Sequence, residues 1–325
     1  MPSDGTRPPT TVRPILELRA GLRRSIRTVF DARGFVEVDT PVLSREVLPE
    51  AHIDPIAVTM PGAAGVAFLQ ASPEALMKRL LAGSSGPIYQ FAQSFRAGER
   101  GRQHDVEFCL LEWYEPGTTL ADAVILLDDL CAAALGTRGM DQVSCREAFA
   151  QTAGVDLEHA DAASLEAVAE RLVGPRPVPS PGATAADRWD RAFEMLLAGV
   201  VQPTLGHGRP TMLVQWPASQ AAFARLDPET PAWARRFELF VSGVELANGW
   251  EEETSREVLL HRITVANRIR AADGRPTLPL PDRLIAAHGD TMPAGVGAAL
   301  GFDRLVMLAA GADTIAAARC FHGES

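Results

Sequence analysis

The sequence predicts an α+β protein, and three observations carry the prediction. Short runs rich in β-branched and aromatic residues come in adjacent pairs, as hairpins do. Alanine- and leucine-rich segments of helical length stand between those pairs. Near the C-terminus a small-residue strand, Gly295 to Gly301, feeds straight into the helical run Phe302-Asp303-Arg304-Leu305-Val306-Met307-Leu308.

In chain order, residues 1–13 read as a disordered tail. From Pro14 to Phe30, Ile15, Leu18, Leu22, Ile26 and Val29 make a helical stripe that Gly34 ends. Phe35 to Leu43 reads as a short strand stopped by Pro41. Ile56–Met60 and Val66–Gln70 read as strands around a Pro61-Gly62 turn. Ser72-Pro73-Glu74 opens a helix, with Ser as cap and an acid at its positive end. Residues 117–208 read as a helical insertion containing a proline-rich linker at 174–182. Thr211–Trp216 and Arg236–Leu246 restore the strand pattern, the latter broken at Ser242-Gly243, and a helix follows from Thr254 to Ala272.

With 325 residues, 46% hydrophobic and 22% charged, the chain can bury one large core or two smaller ones. No apolar run is long enough to span a bilayer, and Met1 to Pro14 lacks the apolar segment of a signal peptide. The four cysteines have no paired spacing, which fits a reducing compartment, the cytoplasm. A formal balance of 31 − 41 = −10 argues against a nucleic-acid coat. No Gly-x-x-x-x-Gly-Lys-Ser/Thr phosphate loop and no strand-linked dinucleotide fingerprint is present.

The richest stretch is Phe91 to Tyr114, two strands joined by the charged loop 97–105. A hairpin needs only a few linking residues, so a long charged loop suggests a ligand. Arg96, Arg100, Arg102 and His104 can gather around an anion, while Phe108 offers a face for a base. Period-2 alternation sets Arg96 and Phe108 on one face with Glu112 and Tyr114, carboxylates suited to an amine. Taken alone, the stretch also fits a solvated surface hairpin.

Three separated segments then match one family. Gly34 to Ser44, Phe95-Arg96 through Glu107-Phe108, and Gly297 to Leu308 resemble motifs 1, 2 and 3 of the class II aminoacyl-tRNA synthetases. Ser72-Pro73-Glu74 with Lys78-Arg79, Leu111-Glu112-Trp113-Tyr114 and Glu245-Leu246-Ala247-Asn248-Gly249 are similar to the lysine pocket of lysyl-tRNA synthetase. Motif 1 starts too early for a preceding anticodon-binding barrel. The chain therefore resembles the tRNA-free paralogues that join lysine or (R)-β-lysine to a lysine of elongation factor P. Ala299, where the synthetase has glycine, also fits that branch.

The resemblance implies an antiparallel sheet flanked by helices and a catalytic domain spanning 14–325. It also implies a homodimer through motif 1, and no tRNA or membrane partner. It implies ATP and Mg2+ as cofactors, and lysine or β-lysine and elongation factor P as substrates. It places Arg96 on the α-phosphate, Arg304 on the γ-phosphate and Phe108 under adenine. Gly98, Glu99, His104, Asp105, Glu245, Leu246 and Gly301 complete the nucleotide site. Glu245 and Glu252 are the expected metal ligands. Ser72, Glu74, Glu112, Tyr114, Asn248, Glu252 and Ala299 are the expected amino-acid pocket, because a buried dication needs carboxylate partners. Asp105-Val106, Cys109 and Trp250-Glu251 depart from the family's usual Asn-Pro, Thr and Phe-His. They leave two alternatives open: an aminoacyl ligase for another protein or amine, or a silent module that kept the fold.

Overall fold

The computed structural model describes residues 9–62, 65–175 and 182–322. The first helix, α1, runs from Pro9 to Asp31 and so begins inside the expected tail; residues 1–8 lie outside the described residues. Gly34, at φ +76°, follows it. The expected strand 35–43 is two short ones in different sheets, β1 (Val36–Glu37) and β2 (Leu43–Ser44), with Pro41 between them. β3 (Ile56–Thr59) and β4 (Val66–Leu69) join β2 in a three-stranded sheet, and α2 spans Glu74–Ala82.

The main sheet is built from the hairpins read in the sequence. β5 (Ile88–Phe95) pairs antiparallel with β6 (Glu107–Pro116), and β9 (Trp233–Val241) with β10 (Val244–Glu251). Ser242 and Gly243, at φ 51° and 74°, make the tight turn that suits the twist of the second pair. With β7 (Asp141–Ser144), β8 (Thr211–Pro217) and β11 (Gly295–Gly301), the order is β1-β5-β6-β11-β10-β9-β8-β7. All interior pairings are antiparallel; only the edges, β1 on β5 and β7 on β8, are parallel.

One face of this sheet carries the central core. Leu111 and Trp113 of β6 and Val296, Ala298 and Leu300 of β11 pack there with Ile26 and Phe30 of α1. The ring of Phe30 stacks on Tyr89, centroids 4.3 Å apart. α3 (Leu120–Leu135) and α9 (Phe302–Ala309) close the same core. The segment expected as one helical insertion, 117–208, therefore divides. Its first helix belongs to the central core and its edge strand β7 was not foreseen. α4 (Cys145–Ala153), α5 (Ala162–Leu172) and α6 (Ala185–Leu196) form a second core against the opposite face of β8 and β9. α7 (Arg256–Ala272) follows β10 as expected, while α8 (Asp282–Ala287) and α10 (Ile315–Ala318) are short helices that the residue pattern did not announce. Among the described residues no helix is long and apolar enough to cross a membrane.

Candidate active site

The face of the sheet opposite the central core is the floor of a cavity of about 470 Å³. Strand register explains its lining. Glu112 of β6 lies beside Ala299 of β11, which lies beside Asn248 of β10. In the next row Tyr114, Gly297 and Trp250 are neighbours. Period two then puts Leu110, Glu112 and Tyr114 on one side chain row, and Gly297, Ala299 and Gly301 on the next. All of these line the cavity. The alternate residues of β11, Val296 and Leu300, are core. β11 is thus small on one face and large on the other, and its missing side chains are what opens the space. A Cβ on Gly297 would run into the Tyr114 ring and Glu252 Oε1.

One end of the cavity is acidic. Glu74, at the start of α2, and Glu252, just beyond β10, both reach Lys78 Nζ, at 2.6 and 2.7 Å. Lys78 is 2% exposed and the only lysine in the chain. Burial pushes its ammonium toward neutrality, but Glu252 and then Glu74 outweigh that and raise its pKa. The rings of Phe223 and Trp250 lie 5.4 and 5.6 Å from the same nitrogen. Glu112 accepts the Tyr114 hydroxyl at 2.7 Å on Oε1, while its buried Oε2 has no hydrogen-bond partner among the described residues. Burial pushes the Glu112 carboxyl up to about 8, reinforced by Glu74, and the Glu252 carboxyl up to about 7. Three carboxylates share one resident cation, so the fully ionised cluster carries two surplus negative charges. Ser72 lines this end, and its Oγ accepts from Glu74 N at 3.4 Å, but Pro73 and not Ser72 is the N-cap of α2, which has no side-chain cap.

The other end is basic. The Arg96 guanidinium sits 5.1 Å over the Phe108 ring and 3.7 Å from Glu99, and its buried Nε has no partner. Arg304, near the start of α9, donates to the Glu245 carbonyl at 2.8 Å and to its carboxylate at 3.2 Å, and lies 2.7 Å from His104 Nε2. It does not pair with its neighbour Asp303, which takes Arg19 at 2.6 Å. Burial and Arg304 together hold His104 below its usual pKa, so a neutral ring faces this cation. Gly98, at φ +77°, turns the loop, and Leu246 and Gly301 line the wall.

Two expectations change. Asp105 lies at the cavity, but its Oδ2 is held by Arg319 at 2.9 Å and lies 3.2 Å from His322 Nδ1. Its charge is thus offset from the C-terminal segment. Glu245 and Glu252 do not form a pair. They sit at opposite ends of β10, seven residues or roughly 20 Å of strand apart. Glu252 belongs to the acidic end. The carboxylate beside Glu245 is Glu238, across the hairpin on β9. Burial and then Glu245 raise it to about 8, against Arg236, which bonds it at 2.6 Å. Two carboxylates forced together on neighbouring strands are hard oxygen donors of the type a magnesium ion takes. Spacing around the Ser242-Gly243 turn was the signal for Glu238. Arg236 also bonds Asn248 Oδ1 at 3.2 Å and lies 4.0 Å from the Trp216 ring, so it orients two site residues at once.

Residues 9–324 match the family of class II tRNA synthetases (D, K and N). The chain belongs to that family. This class II chain is also 39% identical over 302 residues to the elongation factor P–(R)-beta-lysine ligase of Edwardsiella ictaluri, covering 91% of both proteins. It is 37% identical over 319 residues to the ligase of that name from Klebsiella pneumoniae subsp. pneumoniae, 97% of both, and 38% identical over 301 residues to that of Yersinia pestis, 91% of both. It is an ATP-dependent ligase of the class II type, as motifs 1 to 3 implied.

Proposed function

We propose that the protein activates lysine or (R)-β-lysine with ATP as an aminoacyl-adenylate and passes it to a lysine side chain of elongation factor P. The observation that carries this is the acidic end: Glu74, Glu112 and Glu252 against a single cation, Lys78, with one carboxylate oxygen of Glu112 left unpartnered. A monoamino acid would leave a surplus negative charge buried there. The names of the related ligases supply the acceptor.

Adenylation is in-line attack of the substrate carboxylate on the α-phosphorus, with pyrophosphate leaving. Arg96 meets the charge developing on the α-phosphoryl oxygens and Arg304 holds the γ-phosphate, each through a planar fork. Phe108 stacks under adenine, backed by Arg96. Arg304 must leave Glu245 to do so, and Glu245 and Glu238, side by side across the β9–β10 hairpin, would hold magnesium. A bound magnesium ion supplies charge neutralisation between the phosphates. Glu238→Gln keeps the Arg236 hydrogen bond and removes one ligand charge. The magnesium concentration for half-maximal exchange then rises about tenfold; an unchanged titration would remove Glu238 from the metal site. The same reading includes a homodimer formed through α1 and β1, where Leu16 and Val36 are 51% and 56% exposed, and a cytoplasmic location.

Amino-acid-dependent exchange of pyrophosphate into ATP tests the proposal. Exchange is expected with lysine or (R)-β-lysine and not with norleucine, which has the chain length but one ammonium. Exchange with norleucine at a comparable rate, or with no diamino acid, ends the reading.

A further inference from the structure

The transfer half-reaction needs a base that the adenylation machinery does not supply. An acceptor lysine is an ammonium ion at neutral pH. It must lose a proton before its nitrogen can attack, and a second after the amide bond forms. Among the described residues seven acidic ones line the cavity, and six are committed. Glu74 holds Lys78, Glu112 holds the Tyr114 hydroxyl, Glu99 faces Arg96 and Glu245 faces Arg304. Asp105 holds Arg319 and Asp303 holds Arg19. The seventh is Glu50, half-buried on the wall, with no ion pair or side-chain hydrogen bond among the described residues.

Glu50 is not on the sheet floor. It sits in the segment after β2, which folds over the cavity and is fastened from behind. Arg270, 1% exposed, donates to the carbonyls of Glu50 at 3.1 Å and Ile53 at 2.7 Å, and to the Asp54 carboxylate at 2.7 Å. The Asp54 carbonyl accepts from Ala97 N at 2.7 Å, next to Arg96. A buried arginine and a backbone bond thus fix the loop against the strand that presents Arg96. The charged groups facing Glu50 are Arg96, Glu74, Glu99 and Arg236. From the cavity wall it thus feels both the acidic cluster, through Glu74, and the Arg96 guanidinium. The acyl–phosphate bond lies between those same two ends.

Resting on the ligase reading above, we propose that Glu50 is the general base of the transfer step. The Glu50 carboxylate takes one proton from the acceptor's ε-ammonium. The freed amine attacks the adenylate carbonyl carbon and a C–N bond forms. The C–O bond to phosphate breaks and AMP leaves with that electron pair. The second ammonium proton leaves the new amide nitrogen to the departing phosphate. Burial pushes the Glu50 carboxyl up to about 7, opposed by Arg96 and helped by Glu74. A base of that strength is half-ionised at neutral pH and strong enough to draw on an ammonium.

The test separates the half-reactions. In Glu50→Gln, pyrophosphate exchange stays within about threefold of wild type. Transfer to purified elongation factor P in single turnover falls about 100-fold, the usual contribution of a positioned base. Hydroxylamine, largely unprotonated at neutral pH, needs no base, so hydroxamate formation by the variant keeps its wild-type rate. Transfer by Glu50→Gln rises steadily with pH where wild type has levelled off, and Glu50→Asp recovers part of the loss. Equal losses in exchange, hydroxamate and transfer would assign Glu50 to substrate binding and overturn the proposal, as would transfer unchanged in Glu50→Gln. Wild-type exchange and hydroxamate formation report the adenylation reading by themselves, so its failure is seen apart from that of Glu50.

Discussion

Arg96→Lys lowers pyrophosphate exchange by about 10³-fold while the KM for the amino acid changes little. The size follows from what the guanidinium does that an ammonium cannot. Arg96 ends the first strand of the hairpin, with its plane over Phe108 at 5.1 Å and its Nε buried without a partner. A buried N–H left unmet is costly, so it marks a place where an acceptor belongs. A phosphoryl group takes two parallel hydrogen bonds from such a fork, and charge grows on those oxygens as the α-phosphorus is attacked. Removing one preorganised donor from a developing oxyanion typically costs 10²–10³-fold in rate, and lysine loses the fork and the stacking together. The charge is kept, so Coulomb attraction to ATP survives and the loss falls on kcat. Exchange kinetics with ATP and amino acid varied separately check this. A drop of tenfold or less, or one confined to the KM for ATP, would move Arg96 from the reacting phosphate to a binding role.

The sequence made some of this site plain and hid the rest for physical reasons. The hairpin carrying Arg96 and Glu112 was legible because strand alternation and a long charged loop are local signals. So was the turn at Ser242-Gly243, whose two positive φ values need residues of that kind. β11 was visible as a small-residue strand, but not why it is small: Gly297 answers to Tyr114 across one ladder and to Glu252 from a third segment. Contacts between distant segments leave no periodic trace. Glu245 and Glu252 look alike in sequence, yet seven residues along an extended strand separate them more than any side chain can bridge. Glu238 reaches Glu245 only because the hairpin folds back. Asp105 read as a departure from the family's usual Asn; the cation that offsets it, Arg319, lies 214 residues away. Lys78 read as part of the segment resembling a lysine pocket, but not as the buried cation that Glu74 and Glu252 share. Glu50 carried no pattern at all, because a single acid in an irregular segment gains meaning only from what the fold places opposite it.

Glu112→Gln makes the protein more stable and nearly abolishes activation of diamino acids. Glutamine keeps the volume, and its carbonyl oxygen still accepts the Tyr114 hydroxyl that now bonds Glu112 at 2.7 Å. What disappears is a charge that burial and Glu74 disfavour so strongly that the carboxyl is raised to about 8. The sign follows from linkage. In the unfolded chain this group ionises near the usual carboxylate value, about 4.3, and in the fold only near 8, so between those values the native state holds more protons and wild-type stability falls as pH rises. The advantage of Glu112→Gln is therefore small near pH 5 and grows toward pH 8. There a gain of about 1 kcal/mol would show as a rise in Tm of roughly 2–4 °C. Activity moves the other way. An ammonium entering the cluster restores the carboxylate's charge and meets its unpartnered Oε2, so the wild-type KM for lysine falls as pH rises from 6 to 8 and the cluster deprotonates. Removing one member of a buried ion pair costs about 3–5 kcal/mol, or roughly 10²–10⁴-fold in kcat/KM. In the variant the remaining pH dependence comes from Glu252, raised to about 7, so it shifts toward lower pH. Thermal melts at pH 5 and pH 8, set beside exchange kinetics over the same range, read both effects on one pair of proteins. A variant that is less stable than wild type at pH 8, or that activates lysine normally, would mean that Glu112 is held ionised by the fold rather than kept in reserve for a substrate.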